Sequence, residues 1–207
     1  DLTRIPTSQR VVALTFDAGA NADGLSPILA TLKAEQVTAT FFLTGNFVRA
    51  FPDSSRAVVA RGHRLGNHSV THPHFPSLTT SQIRTEVRDA EADIRARAGA
   101  DPRPFFRFPY GDRDARTIAA VNDLGYVAVR WTVDTLGWQG EESMSASKVV
   151  ARVLDTAQPG QIVLMHVGSH PQDRSTLDAD ALPDVIAGLR QRGYSFVTLD
   201  ALLTATG

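Results

Sequence analysis

The sequence predicts an α/β fold in a single domain, a parallel sheet covered by helices, and three observations carry that expectation. Short apolar, β-branched runs alternate with stretches of helical periodicity along the whole 207-residue chain. Runs such as Val11-Val12-Ala13-Leu14 and Ile162-Val163-Leu164-Met165 are continuously apolar, the pattern of strands buried on both faces. Gln36, Gly62, Gly99, Gly125 and Gly193 close helical stretches, and glycine is the residue best suited to the left-handed cap that ends a helix.

Taken in order, the first strand is expected over residues 10–16, running into Thr15-Phe16-Asp17-Ala18-Gly19, with a helix over 24–35. A second strand, 38–43, precedes a helix over 47–61, and a third, 64–67, runs into Asn67-His68-Ser69-Val70-Thr71-His72. The helix over 79–98 opens with Thr79 and Gln82 spaced as a capping box. Strand 104–108 contains Arg107-Phe108 and leads into Pro109-Tyr110-Gly111, followed by a helix over 112–124. Strand 126–133 ends before Asp134-Thr135-Leu136-Gly137-Trp138, with a helix over 145–156. Strand 161–165 ends at His166, a helix covers 180–192, and a strand over 194–199 brings the total to about seven. Periodicity does not say whether such a sheet closes into a barrel. In either case the βα loops open at the C-terminal strand ends, where the unusual residues gather.

Composition excludes several classes of function. Hydrophobic residues make up 43% and charged residues 21%, which rules out a disordered chain. Lys and Arg number 21 against 22 Asp and Glu with no basic block, so a nucleic-acid partner is not expected. No apolar run reaches the roughly 18 residues of a membrane span, and Asp1-Leu2-Thr3-Arg4 lacks the plan of a signal peptide, so a soluble chain is expected. Without Cys there is no disulfide, thiolate metal site or thiol nucleophile, which leaves the compartment open.

His68 and His72, four residues apart at a strand end, can share a divalent ion through their imidazole nitrogens. Asp17 at the end of an apolar strand is either a turn cap or a general base beside a metal-held water. Arg107 would fix its loop by a salt bridge, and a pairing with Asp17 would keep that acid ionised. His166 is the candidate general acid, because imidazole alone titrates near neutrality unperturbed. His63, His74 and His170 lack such a context and are expected on the surface or in loops.

The order TFDA (15–18), HSVTH (68–72), RFPYG (107–111), DTLGW (134–138) and LMH (164–166) resembles the five ordered motifs of the polysaccharide deacetylases, carbohydrate esterase family 4, over roughly residues 11–203. The resemblance implies a distorted (β/α) barrel, a divalent metal such as Zn or Co, and removal of acetyl groups from a glycan. By position, Asp17 corresponds to the catalytic base, and His68 and His72 to two metal ligands. Arg107 corresponds to the residue that orients the base, and His166 to the general acid. The Tyr110 backbone N–H would help hold the oxyanion, while Trp138 and Leu164 would wall the acetyl pocket.

Two positions depart from the family pattern. Ala18 stands where the family places a third, Asp metal ligand, and Gly137 where it places the Asp that supports the acid histidine. The metal would then rely on His68, His72, water and an oxygen from Asn21, Asp23 or Asp17. Asp134, three residues before Gly137, is either the substitute support for His166 or a turn cap. Some deacetylases of bacterial wall glycan carry another residue at the position of Ala18, so the resemblance implies an enzyme. It acts on N-acetylglucosamine in peptidoglycan or a chitin-type glycan, with an acetylxylan esterase or a weakened carbohydrate-binding relative as alternatives. A secreted or wall-associated monomer, its catalytic domain spanning 1–207, is expected.

Overall fold

The computed structural model describes residues 1–204; residues 205–207, the end of the expected domain, lie outside the described part. In chain order the elements are β1 (Val11–Ala18), α1 (Leu25–Ala34), β2 (Thr40–Leu43), α2 (Gly45–Ala50), α3 (Pro52–Ala60), β3 (Arg64–Asn67), α4 (Thr80–Ala98) and β4 (Phe105–Phe106). Then come α5 (Ala115–Asn122), β5 (Val127–Ala128), β6 (Val133–Asp134), α6 (Ala146–Asp155), β7 (Gln161–His166), α7 (Leu177–Gln191), β8 (Ser195–Phe196) and α8 (Ala201–Thr204). The fold class is the expected distorted (β/α) barrel, and the pairings β1–β7, β1–β8, β3–β4, β4–β5 and β6–β7 are all parallel. No described helix is long and apolar enough to cross a membrane.

The chain forms two compact units. The first comprises Asp1–Thr3 and Phe41–Arg130, with its strands in the order β5, β4, β3, β2. Its helices cover an aromatic core of Phe75, Phe106, Phe108 and Tyr126, joined by Ile83 and Val87 from the buried face of α4. The capping box of α4 forms as expected: the Thr79 side chain accepts from the Gln82 backbone N–H, and the Thr79 N–H donates to Gln82 Oε1 at 2.8 Å.

The second unit comprises Arg4–Thr40 and the chain from Trp131 onward. Here β1 lies between β7 and β8, with β6 on the far side of β7. The register runs from Val12 opposite Gln161 to Asp17 opposite His166, while Asp134 pairs with Leu164. Residues two apart on a strand share a face, so Leu164 and His166 lie on one side of β7.

Several expectations are corrected. The helix over 47–61 breaks into α2 and α3 at Pro52, which has no N–H to donate and forces Phe51 out of helical geometry (φ −128°, ψ 58°). The strand over 126–133 divides because its two ends pair differently: Leu2 bridges Val129, and the Arg130 N–H donates to Leu2 O, whereas β6 pairs with β7. Helix α7 begins at Leu177 rather than Asp180, and this places Pro183 in the helix interior, an arrangement that propensity disfavours. Helix α8 was not anticipated. His63 lies in the loop between α3 and β3, as expected, but is buried there, with its ring 5.3 Å from that of Phe41. The left-handed helix ends, by contrast, fall where expected, with φ of 52° at Gln36 and 78–80° at Gly62, Gly99, Gly125 and Gly193.

Candidate active site

In the first unit, β3 delivers its end residues into a loop whose shape is fixed from three sides. Asn67 is fully buried; its Nδ2 donates to Val87 O and to the Tyr126 hydroxyl, and its Oδ1 accepts from the Ser69 N–H at 2.9 Å. Glu86 on α4 accepts from the N–H groups of Val70 and Thr71 with one oxygen and from the Thr71 hydroxyl with the other. The Gly45 and Asn46 N–H groups at the start of α2 donate to Ser69 O and Val70 O. These contacts hold Ser69 and His72 in the left-handed region, at φ of 68° and 61°, which side-chain-bearing residues rarely adopt.

His68 is buried, and its Nδ1 lies 2.8 Å from Arg107 O. A carbonyl only accepts, so Nδ1 carries the proton and Nε2 keeps its lone pair, the tautomer of a histidine metal ligand. The His72 ring stands edge-on to it with centroids 4.8 Å apart. Arg107, itself without exposed surface, donates to the carbonyls of Val129 and Arg130 and lays its guanidinium over the Phe42 ring at 4.1 Å.

Tyr110 is exposed, has a φ of 58°, stacks on His74 at 4.2 Å and meets His72 edge-on at 4.5 Å. The turn around it is closed by the Gly111 and Asp112 N–H groups, and neither bond uses the Tyr110 N–H. His74 also pairs with Asp112, in keeping with a surface position.

In the second unit, Asp17, next to last in β1, lies opposite His166, and its carbonyl accepts from the Val167 N–H. Ala18, fully buried, offers no donor atom. Asn21 and Asp23 bind other partners: Asn21 Oδ1 accepts from the Ser169 N–H, Asn21 Nδ2 donates to Ser169 O, and Asp23 Oδ2 accepts from the Ser169 hydroxyl and from Arg174. They tie the loop after β1 to the loop after β7.

His166 is surrounded by carboxylates. Asp178, on the first turn of α7, accepts from the His166 backbone N–H at 2.7 Å through Oδ2, and the same oxygen lies 3.6 Å from His166 Nδ1. Burial by itself lowers the His166 pKa, but Asp178, reinforced by the charges of Asp17 and Asp134, reverses this and holds it above the usual imidazole value. Asp134 caps its own turn by accepting from the Leu136 N–H at 2.9 Å. Burial raises its pKa against the effect of that bond, of the nearby His166 charge and of the Trp138 indole, while Asp178 adds to the rise. Trp138 is half exposed on a 3₁₀ turn (Gly137–Gln139), and Leu164 is buried on β7, paired in register with Asp134. Asp178, Glu86 and Asn67 were not singled out from sequence. The first reads as an ordinary helix N-terminal acid and the second as one charge on a polar helix face.

His68 and His72 fit a divalent ion as a pair of imidazole donors, with the tautomer of the first already set. Among the described residues no group of three or more His, Cys, Asp or Glu is arranged to hold a metal ion.

Residues 4–129 match the polysaccharide deacetylase family. A peptidoglycan-N-acetylglucosamine deacetylase of Bacillus cereus is 33% identical over 197 residues, spanning 95% of this chain and 70% of that protein. A chitooligosaccharide deacetylase of a Bradyrhizobium species is 34% identical over 201 residues, spanning 93% of this chain and 90% of the relative. A crystal structure of a carbohydrate esterase family 4 pseudoenzyme from Bacillus anthracis superposes with a TM-score of 0.87 at 29% identity, covering 97% of this chain and 68% of the other. The chain belongs to the polysaccharide deacetylase family.

Proposed function

We propose that the chain is a single catalytic domain of a secreted or wall-associated hydrolase, which removes N-acetyl groups from N-acetylglucosamine units of peptidoglycan or a chitin-type glycan and releases acetate. His68 and His72 would hold a divalent ion, Zn or Co, and such an ion polarises the acetyl carbonyl and acidifies a water. Asp17 takes the proton of the attacking water, oriented in the family's manner by Arg107. The Tyr110 N–H donates to the oxyanion that forms on the acetyl oxygen. His166 gives its proton to the amine nitrogen as the C–N bond breaks, so the sugar leaves as a free amine. Trp138 and Leu164 bound the acetyl methyl.

The observation that carries this reading is the pairing of Asp17 with His166 at adjoining ends of β1 and β7. A base and an acid must act on opposite sides of one tetrahedral carbon, and neighbouring strand ends in parallel register supply that separation. The His166 pKa is raised by Asp178 against the effect of burial, which favours the protonated form that a general acid requires. The substrate class rests on relatives that act on peptidoglycan and chitooligosaccharides.

Acetate release from chitooligosaccharides, peptidoglycan and acetylxylan, each with chelator and with added Zn or Co, tests the proposal. Release from an N-acetylated glycan that chelator stops supports it, and release from acetylxylan alone moves the assignment to an O-acetyl esterase. A second reading is favoured by Ala18 and by the likeness to a pseudoenzyme. On that reading the chain binds glycan without turning it over, and glycan affinity with no acetate from any metal-loaded sample would establish it.

A further inference from the structure

The backbone of Gly137 does not need glycine. Its φ lies outside the left-handed region, unlike those of Gly140 or Gly160. What it needs is empty space, because a Cβ there would come within 2.5 Å of Asp178 Oδ1 and 2.7 Å of Asp178 Cγ. The Asp178 carboxylate thus occupies the volume of the side chain that residue 137 lacks. It enters that volume from a different element, the first turn of α7, where the helix dipole favours a negative charge.

The carboxylate is almost fully buried, with its side chain 4% exposed, and it is directed at His166. One oxygen accepts from the His166 backbone N–H at 2.7 Å and faces the imidazole Nδ1 at 3.6 Å. Nδ1 and the second oxygen, Oδ1, are both buried without a hydrogen-bond partner among the described residues. A buried Nδ1 without a partner is costly unless a state of the molecule supplies one. A small rotation of the ring that closes the 3.6 Å to Oδ2 gives Nδ1 that hydrogen bond, and catalytic bonds commonly tighten in this way only when substrate is present.

We propose that Asp178 is the positioning residue of His166, taking over from α7 the task that a carboxylate at position 137 would perform. It fixes the imidazole with Nδ1–H toward α7 and Nε2 toward the leaving group, and it stabilises the protonated ring. Of the other carboxylates around His166, Asp17 on β1 and the turn-capping Asp134 on β6 act through charge, and neither matches the backbone contact of Asp178. The inference rests on His166 being the general acid.

The test is relocation of the carboxylate. Asp178→Asn keeps an acceptor for the His166 N–H, so the fold survives, but its amide no longer supports an imidazolium. We expect kcat on a chitooligosaccharide to fall about 10²-fold with little change in KM, and the alkaline limb of the pH–rate profile to move to lower pH. Independently of activity, NMR titration of the His166 ring in the metal-free protein should show a lower pKa in Asp178→Asn than in wild type. Gly137→Asp alone should be impaired by collision and like charge. Combining it with Asp178→Ala should raise kcat at least tenfold over Asp178→Ala, a reversal of sign that a merely structural role does not produce. An unchanged His166 pKa in Asp178→Asn, or no rescue in a folded double variant, overturns the proposal. Full turnover by His166→Ala, alongside the expected lower His166 pKa in Asp178→Asn, overturns the acid assignment instead and leaves the Asp178–His166 coupling standing.

Discussion

The loop of His68 and His72 and the corner of His166 each fix an imidazole, and they do so with different partners. His68 Nδ1 meets a neutral carbonyl at 2.8 Å, whereas His166 Nδ1 faces a carboxylate at 3.6 Å. A carbonyl locks one tautomer and gives the cationic ring little support, which would suit the metal ligand proposed at His68. A carboxylate favours the cation and raises the pKa, which would suit the proton donor proposed at His166. The loop is also saturated with hydrogen bonds from Asn67, Glu86 and the start of α2, while the corner leaves His166 Nδ1 and Asp178 Oδ1 unjoined. The first region is built for rigidity and the second for a change of state.

Replacing either loop histidine is the most severe way to break that contrast. His68→Ala and His72→Ala should each remove both bound divalent metal and acetate release, read by elemental analysis and by assay on the same samples. A His68→Ala protein that still carries a full complement of metal would assign the ion to other residues. Substitutions in the proton-transfer pair should separate the two quantities. Asp17→Asn and His166→Ala should lower kcat by roughly 10²–10⁴-fold with the histidine metal content retained. Wild-type turnover by Asp17→Asn would remove the base from the mechanism.

A smaller effect is expected from Glu86, which touches neither ring. It accepts three hydrogen bonds from Val70 and Thr71 within the His68–His72 loop. Hydrogen bonds to charged groups contribute about 1.5–3 kcal/mol each, less for this partly exposed set, and outer partners of metal ligands typically govern 10- to 100-fold in affinity. Glu86→Ala should therefore weaken metal binding about tenfold while the His166 pH limb stays in place. If that limb moves as well, the two regions are not independent.

The same contrast explains what was legible in the sequence. His68, His72, Arg107 and Tyr110 lie in short contiguous motifs at strand ends, and a strand end is visible wherever an apolar run stops. The acid corner draws on residues 134, 137, 166 and 178, and only the fold makes neighbours of them. Asp178 in particular is indistinguishable in sequence from any acid that complements a helix dipole, and the expected start of α7 at Asp180 left it outside the helix. Asp134 forms the turn cap, one of its two anticipated readings, and adds only the smallest of the charge effects that raise the His166 pKa. The strands were located by their apolar runs, but their lengths depend on pairing partners, which is why residues 126–133 divide into β5 and β6.

The mildest test concerns His63, a histidine that neither region uses. Burial, with a smaller contribution from the Arg61 charge, lowers the pKa of His63 from 6.5 to about 4. In the folded protein the ring therefore stays neutral down to about pH 4, while in the unfolded chain it takes up a proton below about 6.5. Between those values the unfolded state binds more protons, so stability falls as pH falls, by at most about 1.4 kcal/mol per pH unit from this group. Below about pH 4 both states are protonated and the contribution levels off. His63→Leu keeps an apolar side chain against Phe41 and removes the titration. Its melting temperature should fall less steeply than that of wild type between pH 6.5 and 4, and the two curves should run parallel above pH 7. Parallel curves across the acid range would mean that His63 is protonated in the folded state and finds a partner when it is.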